Sequence, residues 1–512
     1  MAAVAMGTFL ATIDSSIVNV ALPTLVSAFD SELAIVQWVV LAYLLTVATL
    51  MLSVGRLADM FGKKQIYAAG MVVFTLGSVA CGLATSIYML ILLRVLQAIG
   101  AAMVAALGPA IITEAFPPTE RGRALGISGA AVSIGIVLGP TLGGILLHFL
   151  SWHWIFFVNL PVGIVGVLLV LRFVPHRKPA GGQRFDFAGA TTMFISLLSL
   201  LLALTLAQRS GFNAPPILVL LASSCVFLAA FVFIERHSDQ PIVDFGMFGS
   251  ALFSVNLITG FMTFVAVAGT LILMPFYLQN ILSLDSLHVG MLLAVQPIAM
   301  GLVAPLSGAL SDRVGVRPIA AVGLLTLLGG FFAVSSLGPH TTAAGYVLRF
   351  LPVGLGMGIF QSPNNSAIMG AAPRTRLGIA SSILALTRTL GQTVGVSTLS
   401  ALWAGRVMAH TGGIVPGGAT AATPLVQVAA LRETILVIVV WIALGLALSI
   451  YALWHERTQA LSVSSLDSRV MPHCTSDPDP WPVSSPSHVR EDIEEGLIPA
   501  SPGSQLQEEK ST

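Results

Sequence analysis

The chain has 512 residues, 55% hydrophobic and only 9% charged, with a mean hydropathy of +0.90. Ordinary globular chains carry about 25% charged residues, so this one cannot wet a soluble surface. Its 24 basic and 23 acidic side chains leave a net charge of +1 and no basic face for nucleic acid. Cys81, Cys225 and Cys474 are scattered along the chain, which excludes a disulfide framework and a CxxC-type metal site. What remains is an all-α, multi-pass membrane protein in contact with a lipid bilayer.

A helix needs roughly 20 apolar residues to cross the hydrocarbon core. Fourteen such runs follow one another, at 3–26, 36–55, 65–84, 87–111, 124–148, 152–172, 187–207, 215–234, 252–278, 288–310, 318–337, 343–362, 379–404 and 433–453. Runs this long predict helices, because barrel strands are shorter and alternate. The first run lacks a basic flank and carries Asp14 near its middle, so it reads as span 1 and not as a signal peptide. A minimal leader before it is expected. With the N-terminus inside, fourteen loop arginines and lysines fall on the inner side against Arg209, Arg406 and Arg432 outside. The positive-inside rule then places both termini in the cytoplasm and the protein in the cytoplasmic membrane. Residues 457–512 are rich in Ser, Pro, Asp and Glu and read as a disordered cytoplasmic tail.

The chain also repeats itself. Gly55-Arg56-Leu57-Ala58-Asp59-Met60-Phe61-Gly62-Lys63-Lys64 follows span 2, and Gly308-Ala309-Leu310-Ser311-Asp312-Arg313-Val314-Gly315-Val316-Arg317 follows span 10. Asp59 and Asp312 are 253 residues apart, as are Arg121 and Arg374; Arg94 and Arg349 are 255 apart. Two six-helix halves are expected, 1–186 and 252–456, with an inserted pair and linker at 187–251. Related halves around a midplane cavity are a transporter's architecture, with rocking between them giving alternating access.

These residues resemble the major facilitator superfamily, and more narrowly its fourteen-spanner drug:proton antiporter branch, the EmrB/QacA-like proteins. Gly55–Lys64 is similar to the superfamily's loop motif, and Leu90-x3-Arg94-x2-Gln97 with Gly100 resembles its helix-4 motif. Gly135-x3-Gly139-Pro140-x2-Gly143-Gly144 resembles the helix-5 antiporter motif, and Ile13-Asp14-Ser15-Ser16-Ile17-Val18-Asn19-Val20-Ala21-Leu22-Pro23 the helix-1 signature of the branch. Met60 and Ala98 depart from the pattern, standing where a basic residue and a glycine are usual. The resemblance implies the major facilitator fold, cytoplasmic gate loops (Gly55, Asp59, Gly62, Lys63, Lys64, Gly308, Asp312, Arg313, Gly315, Arg317) that latch the halves in one state, and a sealing role for the helix-5 glycines.

Asp14 is the acidic residue placed deep in a span. An ionised carboxylate there must face the bundle interior, pair, or take up a proton. At 1.5 Å per residue, Asp14 lies about 17 Å up span 1 and Arg94 about 10 Å down span 4, at similar depth in a core of about 30 Å. Burial disfavours the charged carboxylate and a neighbouring cation favours it. Asp14 is therefore a candidate proton or cationic-substrate site governed by Arg94; the alternative is a static pair that only fixes helix packing. Cavity candidates are Asn19, Gln37, Tyr43, Gln97, Gln296, Arg349, Gln361 and Arg388, with Trp38, Phe264, Tyr277, Asn364 and Asn365 as further aromatic and amide groups suited to a lipophilic ligand. Arg349 and Arg388 have no evident acidic partner; Arg388 is suited to an anionic or polar substrate group or to backbone carbonyls.

The leading expectation is a proton-coupled exporter of small lipophilic, cationic compounds such as drugs, working as a monomer on the proton gradient with no cofactor. The alternatives are a dedicated exporter of one metabolite and a non-transporting receptor or scaffold. An enzyme is not expected: HExxH and GxSxG do not occur, and no Walker loop provides for ATP. The loops do not decide whether a periplasmic adaptor is needed; the 405–432 segment is the largest outside surface.

Overall fold

The computed structural model describes residues 1–31, 33–175, 185–210, 213–238, 241–243, 245–412 and 419–470. Its long helices in chain order are α1 (Ala2–Ala28), α2 (Trp38–Phe61), α3 (Lys63–Gly82), α4 (Ile87–Ala115), α5 (Pro118–Phe149), α6 (Trp154–Phe173), α7 (Phe187–Ala207), α8 (Pro215–His237), α9 (Ala251–Ile281), α10 (His288–Val314), α11 (Val316–Val334), α12 (Ala343–Ala371), α13 (Leu377–Thr411) and α14 (Pro424–Trp454). All but α13 are long and apolar enough to cross a membrane. The 35-residue α13 occupies the position of the thirteenth expected span, but Ser381, Ser382, Arg388, Gln392 and several threonines dilute its apolar character.

Part of the expected tail is helical. The last helical segment is continuous through Val470, so residues 457–470 are helical where a tail was expected from residue 457. That stretch contains neither Gly nor Pro, and the first proline beyond it is Pro472, so nothing in the local sequence stops the helix. These residues belong to a second unit, Arg457–Thr512, separate from Met1–Glu456. The remainder of the expected tail, 471–512, lies outside the described residues, as do linker residues 176–184.

The repeat is visible in the helix ends. Gly62 (φ +104°) separates α2 from α3, and Gly315 (φ +103°) separates α10 from α11. Only glycine reaches that region without strain, which explains its recurrence at the same place in both halves. Ser86 accepts from Met89 N–H to cap α4, and Thr342 accepts from Gly345 N–H to cap α12. Packing repeats as well. Lipid is as apolar as leucine, so helices associate through close contact of small residues. A Cβ on Gly77 would lie 2.7 Å from the Gln97 Cα on α4, and one on Gly330 would lie 2.8 Å from the Val353 nitrogen on α12.

The halves meet along two seams. On one, α5 packs on α10: a Cβ on Gly122 would lie 2.5 Å from the Gly308 carbonyl, and one on Gly126 would lie 2.7 Å from the Pro305 Cα. On the other, α2 packs on α13 with Gly55 and Gly378 in backbone contact. The inserted α7–α8 pair is joined by Ser196 donating to the Ser224 carbonyl, 3.0 Å. It flanks the second seam, where Ser397 of α13 donates to the Leu204 carbonyl of α7, 3.0 Å, and Leu45, Ala48 and Leu201 cluster beside Leu390.

Gly330→Leu should destabilise the purified protein by roughly 1–3 kcal/mol, because overpacking a tight contact forces backbone shifts. A lowered thermal midpoint in detergent checks this. Gly329→Leu is the control, since a Cβ there meets nothing within 4 Å, and its midpoint should stay where it is.

Candidate functional site

The first half is organised around one buried carboxylate. Asp14 shares an inward face of α1 with Leu10, Ile17 and Val18 and is 0% exposed. Its Oδ2 accepts from Arg94 Nη1 of α4 at 2.7 Å. Its Oδ1 accepts from Gln97 Nε2 at 2.9 Å and from Asn159 Nδ2 of α6 at 2.8 Å. Arg94 Nη1 also donates to Gln97 Oε1 at 2.7 Å, and Nε donates to the Val39 carbonyl of α2 at 3.1 Å. The guanidinium lies 4.1 Å from the centre of the Tyr43 ring. Asn159 reaches on to Ser78 Oγ of α3 at 3.0 Å, which donates to the Phe156 carbonyl. Arg94 and Gln97 are one helical turn apart, so both face Asp14.

This arrangement ties five helices of the half to one charge. Removing one partner of a buried pair costs about 3–5 kcal/mol because the other charge is left uncompensated. Expected cavity residues Gln97 and Tyr43 belong to this cluster. Asn159 and Ser78 were not anticipated; the signal for Asn159 was a lone amide within the apolar run Ile155–Leu160.

The sixth helix joins through glycine. A Cβ on Gly135 would lie 2.9 Å from the Thr12 Cβ, and one on Gly143 would lie 3.5 Å from the Ile17 carbonyl; Gly139 faces Ser16. The expected seam therefore joins α5 to α1, with the three glycines one turn apart along the turn that carries Asp14. Gly144 faces open space, and α5 continues unbroken through Pro140.

The gate loops form a pair of caps across the two halves. Asp59 accepts from the Gly378 and Ile379 N–H groups at the start of α13, at 2.9 and 3.1 Å. Asp312 accepts from the Gly122 and Arg123 N–H groups at the start of α5, at 2.8 and 3.0 Å. Each acidic residue thus closes the positive end of a helix in the opposite half. Lys63 Nζ lies 3.2 Å from Asp59 and 3.8 Å from Glu114. Lys64 donates to the Leu171 carbonyl and Arg317 to the Ala452 carbonyl, each anchoring its loop within its own half. Arg313 is exposed. Ser362 donating to Gly122 O at 2.7 Å and Ser381 donating to Ala106 O at 2.5 Å complete the closure at this end.

The other candidates do not converge on Asp14. Arg349, at the repeat position of Arg94, donates to Ser336 Oγ at 2.8 Å and to the Gly345 carbonyl at 3.0 Å, so it ties the α11–α12 turn. Tyr277 donates to the Gly338 carbonyl near the same turn. Asn19 and Asn365 differ: Asn19 is exposed and Asn365 half-buried, while Gln37 and Trp38 are half-buried and Gln296 is buried. Gln361 and Asn364 are buried, and Arg388 lies 5.6 Å from the Phe264 ring centre.

Two repeated helical bundles, capped across their seams by Asp59 and Asp312 and with a buried charge in the first, are the architecture of a membrane transporter. Residues 4–396 match the Major Facilitator Superfamily, and the chain belongs to that family, whose members are transporters and not enzymes. It is 36% identical over 409 residues to the riboflavin transporter RibZ of Clostridioides difficile, covering 78% of this chain and 87% of that protein. It is 35% identical over 404 residues to the multidrug resistance protein Stp of Mycobacterium tuberculosis, covering 78% and 75%. Among solved structures, the proton:xylose symporter XylE shares the fold with a TM-score of 0.61 at 13% identity, covering 88% of this chain and 93% of that one. The human organic anion transporter MFSD10 does so with a TM-score of 0.60 at 15% identity, covering 86% and 98%.

Asp59→Ala and Asp312→Ala should each weaken the closure by about 1 kcal/mol, the usual worth of a helix cap. A cysteine placed at buried Ser382, on the α2–α13 seam, should then react faster with a hydrophilic maleimide than in the unaltered background. Equal labelling rates would show that the caps do not hold the seam.

Proposed function

We propose that this protein is a proton-driven exporter of small lipophilic compounds, of the fourteen-span drug:proton antiporter branch, with both termini in the cytoplasm. The observation that carries this reading is Asp14, a fully buried carboxylate whose protonation state bears on five helices at once. Within the proposed cycle, the ionised carboxylate holds Arg94, Gln97 and Asn159, and the caps at Asp59 and Asp312 keep the cytoplasmic end shut. Proton uptake by Asp14 neutralises the charge that holds Arg94, and α1 and α4 are then free to regroup. That movement is carried to the gate because α5, packed along α1 by Gly135, Gly139 and Gly143, begins at the Asp312 cap.

Multidrug names among the relatives support a broad lipophilic substrate range. Both Asp14 oxygens are taken by protein donors here, which favours the proton role over direct contact with a cationic drug. A second reading, a dedicated exporter of one metabolite, is favoured by the relative named as a riboflavin transporter.

Proteoliposomes with an imposed pH gradient test the proposal. Ethidium should move against its gradient in exchange for protons, and Asp14→Asn should reduce that flux to the background of empty liposomes while the variant still inserts. Full flux in Asp14→Asn would refute proton coupling at this residue. Transport of riboflavin without ethidium would favour the single-metabolite reading.

A further inference from the structure

The second half holds a cation with no counter-charge. Arg388 sits mid-helix in α13, half-buried, and among the described residues its guanidinium makes no hydrogen bond or ion pair. Its neighbour is the Phe264 ring of α9, itself 6% exposed, with the ring centre 5.6 Å from the guanidinium carbon. Neither α9, α12 nor α13 contains a single Asp or Glu. Helix contact forces this proximity: a Cβ on Gly391, one turn beyond Arg388, would lie 2.9 Å from the Phe264 Cβ.

The same face of α9 leads to one further unsatisfied group. Gly260 lies one turn before Phe264, and a Cβ on it would sit 3.1 Å from Asn364 Nδ2 of α12. Asn364 is 2% exposed, yet among the described residues its Oδ1 has no hydrogen-bond partner. Buried polar groups are paired in the great majority of cases, so an orphaned oxygen and an uncompensated guanidinium along one face of α9 need an explanation. Packing alone gives none, because leucine at each position would cost less.

The geometry points to a substrate site between α9, α12 and α13 for small aromatic organic acids. Arg388 meets the carboxylate, sulfonate or phosphate, Phe264 meets the ring, and Asn364 Oδ1 accepts from an N–H or O–H group of the ligand. Arginine suits this role because its planar fork matches an oxyanion and also lies flat on an aromatic face. The inference rests on the transport reading above and narrows its substrate class.

Fluorescein and rhodamine 123 share a three-ring skeleton and carry opposite charge at neutral pH, so they separate charge from shape. Equilibrium binding of each to the detergent-purified full chain, read by fluorescence polarisation, needs no proton gradient. Its outcome is therefore independent of proton coupling. The unaltered protein should bind fluorescein. Arg388→Gln should weaken that binding by about tenfold or more, as expected for loss of a charge-assisted pair, while rhodamine 123 affinity changes less than about twofold. Arg388→Lys should bind fluorescein with an affinity between those of the unaltered protein and Arg388→Gln, because it keeps the charge and loses the planar fork. A measurement that needs no variant accompanies these: 1-naphthalenesulfonate should displace fluorescein, and uncharged 1-naphthalenemethanol should not. Absence of fluorescein binding, equal affinity in Arg388→Gln, or equal displacement by the two naphthalenes would each overturn the assignment. Proton-driven ethidium flux that survives such a result would leave the exporter reading standing without an acid site.

Discussion

An ion pair removed from water is expensive to make and more expensive to leave half-made. In this protein that constraint falls on Asp14 and Arg94, and the first half is arranged to meet it. Every acceptor on the carboxylate is used, and the guanidinium is shared among a carboxylate, an amide, a backbone carbonyl and an aromatic face. The partners come from α1, α2, α4 and α6, with Ser78 of α3 behind Asn159. Five helices therefore hold one another through a single charge, and the sixth is fitted to α1 by glycines along the turn that carries Asp14. A change in that charge cannot stay local, which is the property a coupled transporter needs.

The two halves have kept different parts of what the repeat gave them. The gate is retained twice: a positive-φ glycine, an acidic cap and a glycine-to-glycine contact recur on either side, with Asp59 reaching α13 and Asp312 reaching α5. The charged core is retained once. Arg349 stands where Arg94 stands, but it binds its own helix turn and makes no ion pair with a carboxylate among the described residues. The second half instead places Arg388 one helix further on, beside Phe264 and without an ion-pair partner among the described residues. On the proposed cycle, the first half manages a proton and the second is open to a ligand.

The spans, the repeat and the Asp14–Arg94 pairing were legible in the sequence because each rests on a strong one-dimensional signal. Unbroken apolar runs mark helices, a fixed offset marks duplication, and the rise per residue puts two intramembrane charges at one depth. What was not legible depends on chemistry that leaves no mark on the chain. The gate acids bind backbone N–H groups of Gly378, Ile379, Gly122 and Arg123, and any residue but proline supplies such a donor. Ser78 is one serine among many, and only the fold brings it to Asn159. Within the expected tail, the helix over 457–470 was not read because its composition is polar, although no Gly or Pro interrupts it.

The central claim is that Asp14 changes protonation during the working cycle instead of serving as a fixed structural charge. Infrared difference spectroscopy on the purified protein in lipid reads this directly, by comparing spectra before and after a step in pH. The account predicts a protonated-carboxyl band that appears on acidification in the unaltered protein and is missing in Asp14→Asn. Identical difference spectra for the two proteins would contradict it, and would leave the buried pair with a structural role alone.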